Sequence, residues 1–155
     1  MLGSESTYFF QDKELLNHNR VLVVQVLLFN CYSFKEIGIY LDAYDYFIKN
    51  PNAYDGATLV RDLYDIPNLD LDAMLHDYFY IIFNVASNLI TKWKADWLYC
   101  QEQICKGKPK KSAYARFIGL TFTSIEFLIY TKIKRGKITE QQKQKFNINY
   151  NILMT

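Results

Sequence analysis

Glycine and proline are scarce in this chain, and that scarcity limits the folds open to it. The 155 residues include six glycines and three prolines. A β-sandwich needs turn residues at short, regular intervals, so this composition favours a few long elements instead. Apolar residues make up 50% of the chain and charged residues 22%, which excludes a disordered protein.

Apolar residues recur at helical spacing in several segments. Ser33 followed by Glu36 is a capping-box pattern and predicts a helix that runs to Lys49. Gly107 and Gly136 predict the ends of two later helices. The predicted core stripes are Ile37, Leu41, Tyr44 and Ile48; Leu75, Tyr78, Phe79 and Ile82; Trp93, Trp97, Cys100 and Ile104; and Ile118, Phe122, Ile125, Ile129 and Ile133.

The sequence of residues 21–29 does not distinguish helix from strand. It is apolar nearly all round, so we expect it to be buried, and both helix and strand remain open because the run is short. The pattern as a whole predicts a mainly α protein. We expect a compact single domain of four to five helices over residues 1–136, with a long loop at 51–70.

Both ends of the chain are expected to be extended arms. Residues 1–10 and the C-terminal arm, residues 137–155, have too few periodic apolar positions to form a core. Arms of this kind are either mobile or docked on a neighbouring molecule. We therefore expect contacts with other molecules to order them.

Charge is distributed unevenly along the sequence. Residues 42–77 contain eight aspartates, whereas residues 92–145 contain thirteen Lys or Arg against four acids. This pattern predicts association with copies of the same chain or with an oppositely charged partner. The basic cluster at 106–111 is short and the pI is about 8.3, so nucleic acid is an unlikely partner.

Uncharged stretches are too short for a bilayer. The two longest, residues 21–34 and 78–91, have fourteen residues each, whereas a spanning helix needs ~20. No membrane span is expected, and no signal peptide is indicated at the N-terminus.

One cluster of residues suggests chemistry. His76 is one of two histidines in the chain, and Asp72 lies one helical turn before it. A carboxylate at that spacing can orient an imidazole for use as a general base or metal ligand. The alternative is a histidine that serves packing only.

Three blocks around this histidine resemble a family. They are Asp-Gly-Ala-Thr at 55–58, Leu-His-Asp-Tyr-Phe-Tyr at 75–80 and Lys-x-x-Ala-Asp at 92–96. Their order is similar to that in an uncharacterised domain family of tailed phages with the pattern DGAS, LHDYLY and RxxAD. The resemblance covers about residues 50–136, with Thr58 in place of Ser and Lys92 in place of Arg. The Ile, Asn, Lys and Tyr bias is also similar to that of proteins from crAss-like phages.

The resemblance implies a candidate site of Asp55, His76, Asp77 and Asp96. His76, Asp77 and Asp96 are the candidate catalytic residues, since a peptidase-like activity has been suggested for the family. Asp55, His76 and Asp77 are candidate ligands for a divalent metal, although no cofactor is required by the pattern. The same residues also have a structural use, because Asp77 can pair with Lys92.

A second comparison is the metal-dependent phosphohydrolase pattern of His, His-Asp and a distant Asp. His18, His76, Asp77 and Asp96 have that order, but the gap from His18 to His76 is long for one helical hairpin.

Two functions follow as hypotheses. The first is a structural protein of a tailed-phage virion, in the neck, tail or a ring assembly, with other virion proteins and copies of itself as partners. It would reside in the virion, and in the host cytoplasm before assembly. The second is a small peptidase-like phage hydrolase that uses His76. The sequence favours the first, so a non-enzyme is preferred.

Overall fold

The computed structural model describes residues 13–53, 70–122, 129 and 132–155, with side chains described from residue 19 onward. Within these ranges all regular structure is helical, which confirms the mainly α class. The α-helices are α1 (Lys13–Phe29), α2 (Phe34–Lys49), α3 (Leu71–Ile82), α4 (Leu89–Cys105), α5 (Lys110–Phe122) and α6 (Glu140–Met154). Short 3₁₀ turns lie at Pro51–Ala53 and Val85–Ser87, and residues 132–135 are also helical.

Two compact units divide the chain inside α3. The first comprises Met1–Asp77 and the second Tyr78–Thr155. The predicted boundary at residue 136 stays a prediction. The predicted lead-in at residues 1–10 lies outside the described residues, as does most of the predicted loop at 51–70.

The first unit is built on α1 and α2. The Ser33 hydroxyl accepts from the Glu36 backbone N–H at 3.3 Å, and the Glu36 carboxylate accepts from the Ser33 N–H at 2.6 Å. The predicted capping box is therefore confirmed. Tyr40, Tyr44 and Phe47 are fully buried on α2 and form much of the core of this unit.

Residues 21–29 are helical, and the expectation that this run is buried all round is wrong. Val23 and Leu27, one turn apart, are fully buried. Val21 is 57% exposed and Phe29 is 87% exposed. The helix therefore buries one narrow stripe, because its apolar residues exceed what its contact with α2 can cover.

The second unit contains an antiparallel hairpin of α4 and α5. Asn88 caps α4 by accepting from the N–H groups of Ile90 and Thr91. Gly107 follows the helix with φ of 83°, a left-handed conformation that favours glycine. Contacts pair the start of α4 with the end of α5, as Lys92 reaches the Leu120 carbonyl.

The core stripe predicted for α4 is buried only in part, with Cys100 at 1% exposure, and the stripe predicted for α5 is exposed. In α4 the most buried polar positions include Lys92, Asp96 and Gln103, whereas Trp93 is 45% exposed. The expected core stripe beyond residue 117 is also exposed: Ile118 by 55%, Phe122 by 71%, Ile129 by 53% and Ile133 by 75%. Ile125 lies outside the described residues.

The end of the chain packs on its own unit. Thr139 and Gln142 form a capping box that starts α6, and Phe146 is fully buried with its ring 5.4 Å from that of Phe79. Ser87 Oγ accepts from the Ile138 N–H at 2.7 Å, which fixes the segment before the helix. The expectation that residues 137–155 lack core positions and need a neighbouring molecule is therefore wrong for α6.

Candidate functional site

His76 and Asp77 lie in the middle of α3, which starts at an aspartate cap. Asp70 is buried, and its carboxylate accepts from the N–H groups of Asp72 and Ala73. The His76 Nδ1 atom lies 3.8 Å from Asp77 Oδ1. This separation exceeds a direct hydrogen bond but allows charge attraction if the imidazole is protonated. Both side chains are mostly buried, 11% and 16% exposed.

The sequence spacing favours Asp72 as a carboxylate that orients His76. The structure places it at 2% exposure, where it accepts a hydrogen bond from the Tyr40 hydroxyl at 3.3 Å. This contact joins α2 to the first turn of α3. Asp72 therefore has a role in holding the first unit together.

Asp96 lies at the centre of a buried polar cluster in the second unit. One carboxylate oxygen accepts from Lys92 Nζ at 2.5 Å, and the other accepts from the Tyr80 hydroxyl at 2.5 Å. Lys92 Nζ also donates to the Leu120 carbonyl oxygen at 3.1 Å. These groups, the Asp96 cluster, connect the end of α3 with α4 and α5.

The burial of this cluster limits what it can do chemically. Asp96 is fully buried and Lys92 is 2% exposed. A carboxylate whose two oxygens already accept from an ammonium and a phenol is arranged for structure, because each donor stabilises the charged form in place. The i, i+4 spacing of Lys92 and Asp96 was the available signal for this pair.

Of the predicted metal ligands, the structure describes His76 and Asp77. Asp55 lies outside the described residues. Across 19–53, 70–122 and the described residues from 129 onward, no three His, Cys, Asp or Glu side chains are arranged to hold a metal ion. The predictions about metal and cofactor therefore remain predictions.

The second unit also exposes large aromatic and aliphatic side chains at positions that the sequence pattern predicts to be core. Trp93 and Trp97 stack with an interplanar angle of 3°, and Tyr114 of α5 extends the stack. Phe117 packs edge-on against both indoles. These contacts place the exposed side of the α4–α5 hairpin in one surface.

This surface, called the hairpin face below, consists of six large side chains between 41% and 71% exposed. They are Leu89, Ile90, Trp93, Tyr114, Ile118 and Phe122. Apolar residues at helical spacing usually indicate core, and the sequence contained no signal that this stripe would lack a covering element.

The basic cluster between α4 and α5 is partly used inside the unit. The Gln103 side-chain oxygen is buried and accepts from Lys108 Nζ at 2.6 Å and from Arg116 Nη1 at 2.9 Å. These two cations therefore hold the connection between the helices. Lys110 and Lys111, at the start of α5, are exposed.

Comparisons with known proteins do not identify a relative. No family model, curated protein or solved structure matches the chain. The resemblance to the phage domain family therefore stays a prediction. None of the described helices is long and apolar enough to cross a membrane.

Proposed function

We propose that this chain is a structural component of a tailed-phage virion, in the neck, tail or a ring assembly. It acts through protein–protein contacts with other virion proteins and with copies of itself. The observation that supports this proposal is the hairpin face, where large apolar side chains are exposed on two packed helices. The phage assignment itself comes from the three sequence blocks.

The exposed area is large enough to matter for binding. Fully burying a Leu, Ile or Phe side chain contributes about 1.5–3 kcal/mol relative to leaving it in water. Six such residues, each roughly half exposed, can together supply several kcal/mol to an association. Contiguous exposed apolar patches usually mark interaction sites, whereas isolated exposed apolar residues do not.

The hydrolase alternative is less well supported at one of its candidate residues. Asp96 has no exposed surface, and its carboxylate already binds Lys92 and Tyr80. A catalytic group needs to reach a substrate or a water molecule. His76 and Asp77 are then the remaining described candidates, and their 3.8 Å separation by itself specifies no reaction.

Nucleic acid is disfavoured as the partner of the basic segment. Lys108 and Arg116 both donate to the buried Gln103 side chain, so part of their hydrogen-bonding capacity is used inside the unit. Nonspecific binding depends on the number of cations that meet phosphates. Protein contacts therefore remain the preferred mode of action, with the virion, and the host cytoplasm before assembly, as its location.

The direct test is the protein content of purified particles. Quantitative mass spectrometry of tailed-phage particles from the encoding phage should find the chain in a fixed ratio to the major capsid protein. A nonstructural phage protein expressed in the same cells provides the control for contamination. Presence of the chain in the lysate but absence from the particles would contradict the proposal.

A further inference from the structure

We infer that the hairpin face binds an acidic amphipathic helix of a partner protein. This inference rests on the proposed function, since it names the kind of partner that the protein–protein contact requires. It is carried by the charge and the spacing of the side chains on α4 and α5.

The exposed charged side chains of the hairpin itself have one sign. Residues 89–122, all of which the structure describes, contain two acids, Asp96 and Glu102. Both are buried, at 0% and 6% exposure. Lys110 and Lys111 are exposed and lie one turn before Tyr114. An approaching partner therefore meets apolar side chains beside two lysines, with no surface carboxylate on this hairpin.

The spacing of the apolar residues matches a helix laid along the hairpin. Tyr114, Ile118 and Phe122 are four residues apart on α5, so they span about 12 Å along its axis. Trp93 lies beside them, because Phe117 packs against its ring. A partner helix with apolar residues at i, i+4 and i+7 covers a similar length and can lay its apolar face along these side chains.

Charge complementarity then specifies where the acids of the partner lie. Its apolar positions contact the middle of the hairpin face, and one or two Glu or Asp side chains beyond them reach Lys110 and Lys111. Such pairs at the rim of an interface contribute more to specificity and to association rate than to affinity. The apolar contacts supply most of the binding.

Other partners fit this surface less well. Nucleic-acid binding uses aromatic rings that stack on bases together with cations along the backbone. Half of the hairpin face is aliphatic, namely Leu89, Ile90 and Ile118, and Lys108 and Arg116 are engaged with Gln103. An aliphatic and aromatic surface with cations at one end is better matched by an amphipathic helix.

The test uses two designed peptides of about 18 residues, each with leucines at i, i+4, i+7 and i+11. One carries glutamates beside the leucines and the other carries lysines at the same positions. Binding to the full chain is measured by anisotropy of a labelled peptide, and by emission of Trp93 and Trp97, the two tryptophans of the chain. We expect the acidic peptide to bind at least tenfold more tightly than its lysine counterpart, and the difference to shrink at high salt.

Variants separate the apolar and electrostatic contributions. Ile118→Ser with Phe122→Ser should weaken binding of the acidic peptide at least tenfold. The matched control is Ile148→Ser, since Ile148 is 59% exposed on α6, outside the hairpin face. It should leave the affinity unchanged.

Reversing charge with Lys110→Glu and Lys111→Glu should invert the preference between the two peptides. Because all these side chains are exposed, circular dichroism should show native helix content in each variant.

Several outcomes would overturn the inference. Equal affinity for the two peptides would remove the electrostatic part of the argument. The chain could instead self-associate in a concentration-dependent way without binding either peptide. If the Ile118 and Phe122 variant lost that self-association, the face would be assigned to a second copy. Binding to vesicles with about 30% phosphatidylserine, without peptide binding, would assign it to a membrane.

The docking surface and the virion role can fail independently of each other. If particles contain the chain but the acidic peptide does not bind, the inference fails and the virion role stands. If the peptide binds as expected but particles lack the chain, the docking surface stands and the virion role fails.

Discussion

Removing one member of the Asp96 cluster should destabilise the second unit strongly. In Asp96→Asn, Lys92 stays at 2% exposure but loses the carboxylate that lies 2.5 Å from its Nζ atom. Breaking a buried pair on one side typically costs about 3–5 kcal/mol, because the remaining charge is left uncompensated. We therefore expect the free energy of unfolding to fall by about that amount.

Further variants test whether the uncompensated buried charge causes this loss in the free energy of unfolding. Replacing both partners, as in Lys92→Met with Asp96→Leu, removes the buried charges together, so the loss should be much smaller than in Asp96→Asn. Tyr80→Phe removes one hydrogen bond to a charged acceptor and should cost about 1.5–3 kcal/mol. An exposed pair in the same unit, Lys143 with Glu140 at 3.9 Å, is the matched control. Glu140→Gln should cost less than about 1 kcal/mol.

Urea unfolding followed by tryptophan emission is the suitable assay. Both tryptophans, Trp93 and Trp97, lie on α4 in the second unit, so the signal reports on the unit that contains the cluster. Circular dichroism provides the second probe for two-state behaviour. A loss in Asp96→Asn no larger than in Glu140→Gln would refute the argument that this pair is buried and structural.

Three further predictions concern the core and its titrating groups. Burial raises the pKa of Tyr44 to about 12. The neutral Tyr44 phenol therefore contributes stability that is fully present below about pH 10, the ordinary phenol pKa, and is lost as the pH rises toward about 12. Tyr44→Phe should reduce the alkaline loss by at most about 3 kcal/mol in urea melts at about pH 8 and about pH 11.5. Burial also raises the pKa of Tyr150, so part of the loss should remain. An unchanged loss in the variant would contradict this prediction. Cys31 and Cys105 are exposed and Cys100 is buried, where burial also raises its thiol pKa. Iodoacetamide followed by mass spectrometry should therefore label Cys100 only after urea is added, and rapid labelling in the native state would be inconsistent with its position. Phe146→Ala should destabilise the chain by about 3–5 kcal/mol in a thermal or urea melt, because its side chain is fully buried; a loss below about 1 kcal/mol would show that α6 is not part of the core.

Local signals in the sequence determined where several helices begin and end. Ser33 and Glu36 satisfy each other's backbone N–H groups without help from any other segment, so this start was predictable from four residues. Gly107 and Gly136 both have positive φ, which is a local requirement that glycine meets at little cost. The absence of frequent turn residues likewise predicted long helices.

The end of the chain shows the limit of local interpretation. Residues 137–155 are polar on average, which by itself favours a C-terminal arm without a core. The helix is nevertheless held in its unit, because Phe146 packs against Phe79 and Leu153 is also buried. Thr139 and Gln142 provided a local capping signal, but the burial of Phe146 depends on residues far away in sequence.

Which face of each helix is buried was decided by the tertiary structure. The spacing of Trp93 and Trp97 is typical of a core stripe, yet Trp93 is 45% exposed. The buried side of α4 instead combines Lys92, Asp96 and Gln103 with apolar residues such as Leu98 and Cys100. Periodicity shows that a helix has an apolar face, but it does not show whether the protein supplies a neighbour to cover that face. Lys92 and Asp96 can be buried because each satisfies the charge of the other, with Tyr80 and the Leu120 carbonyl completing their hydrogen bonds. That compensation is a property of three helices brought together, so no single segment of the sequence contains it.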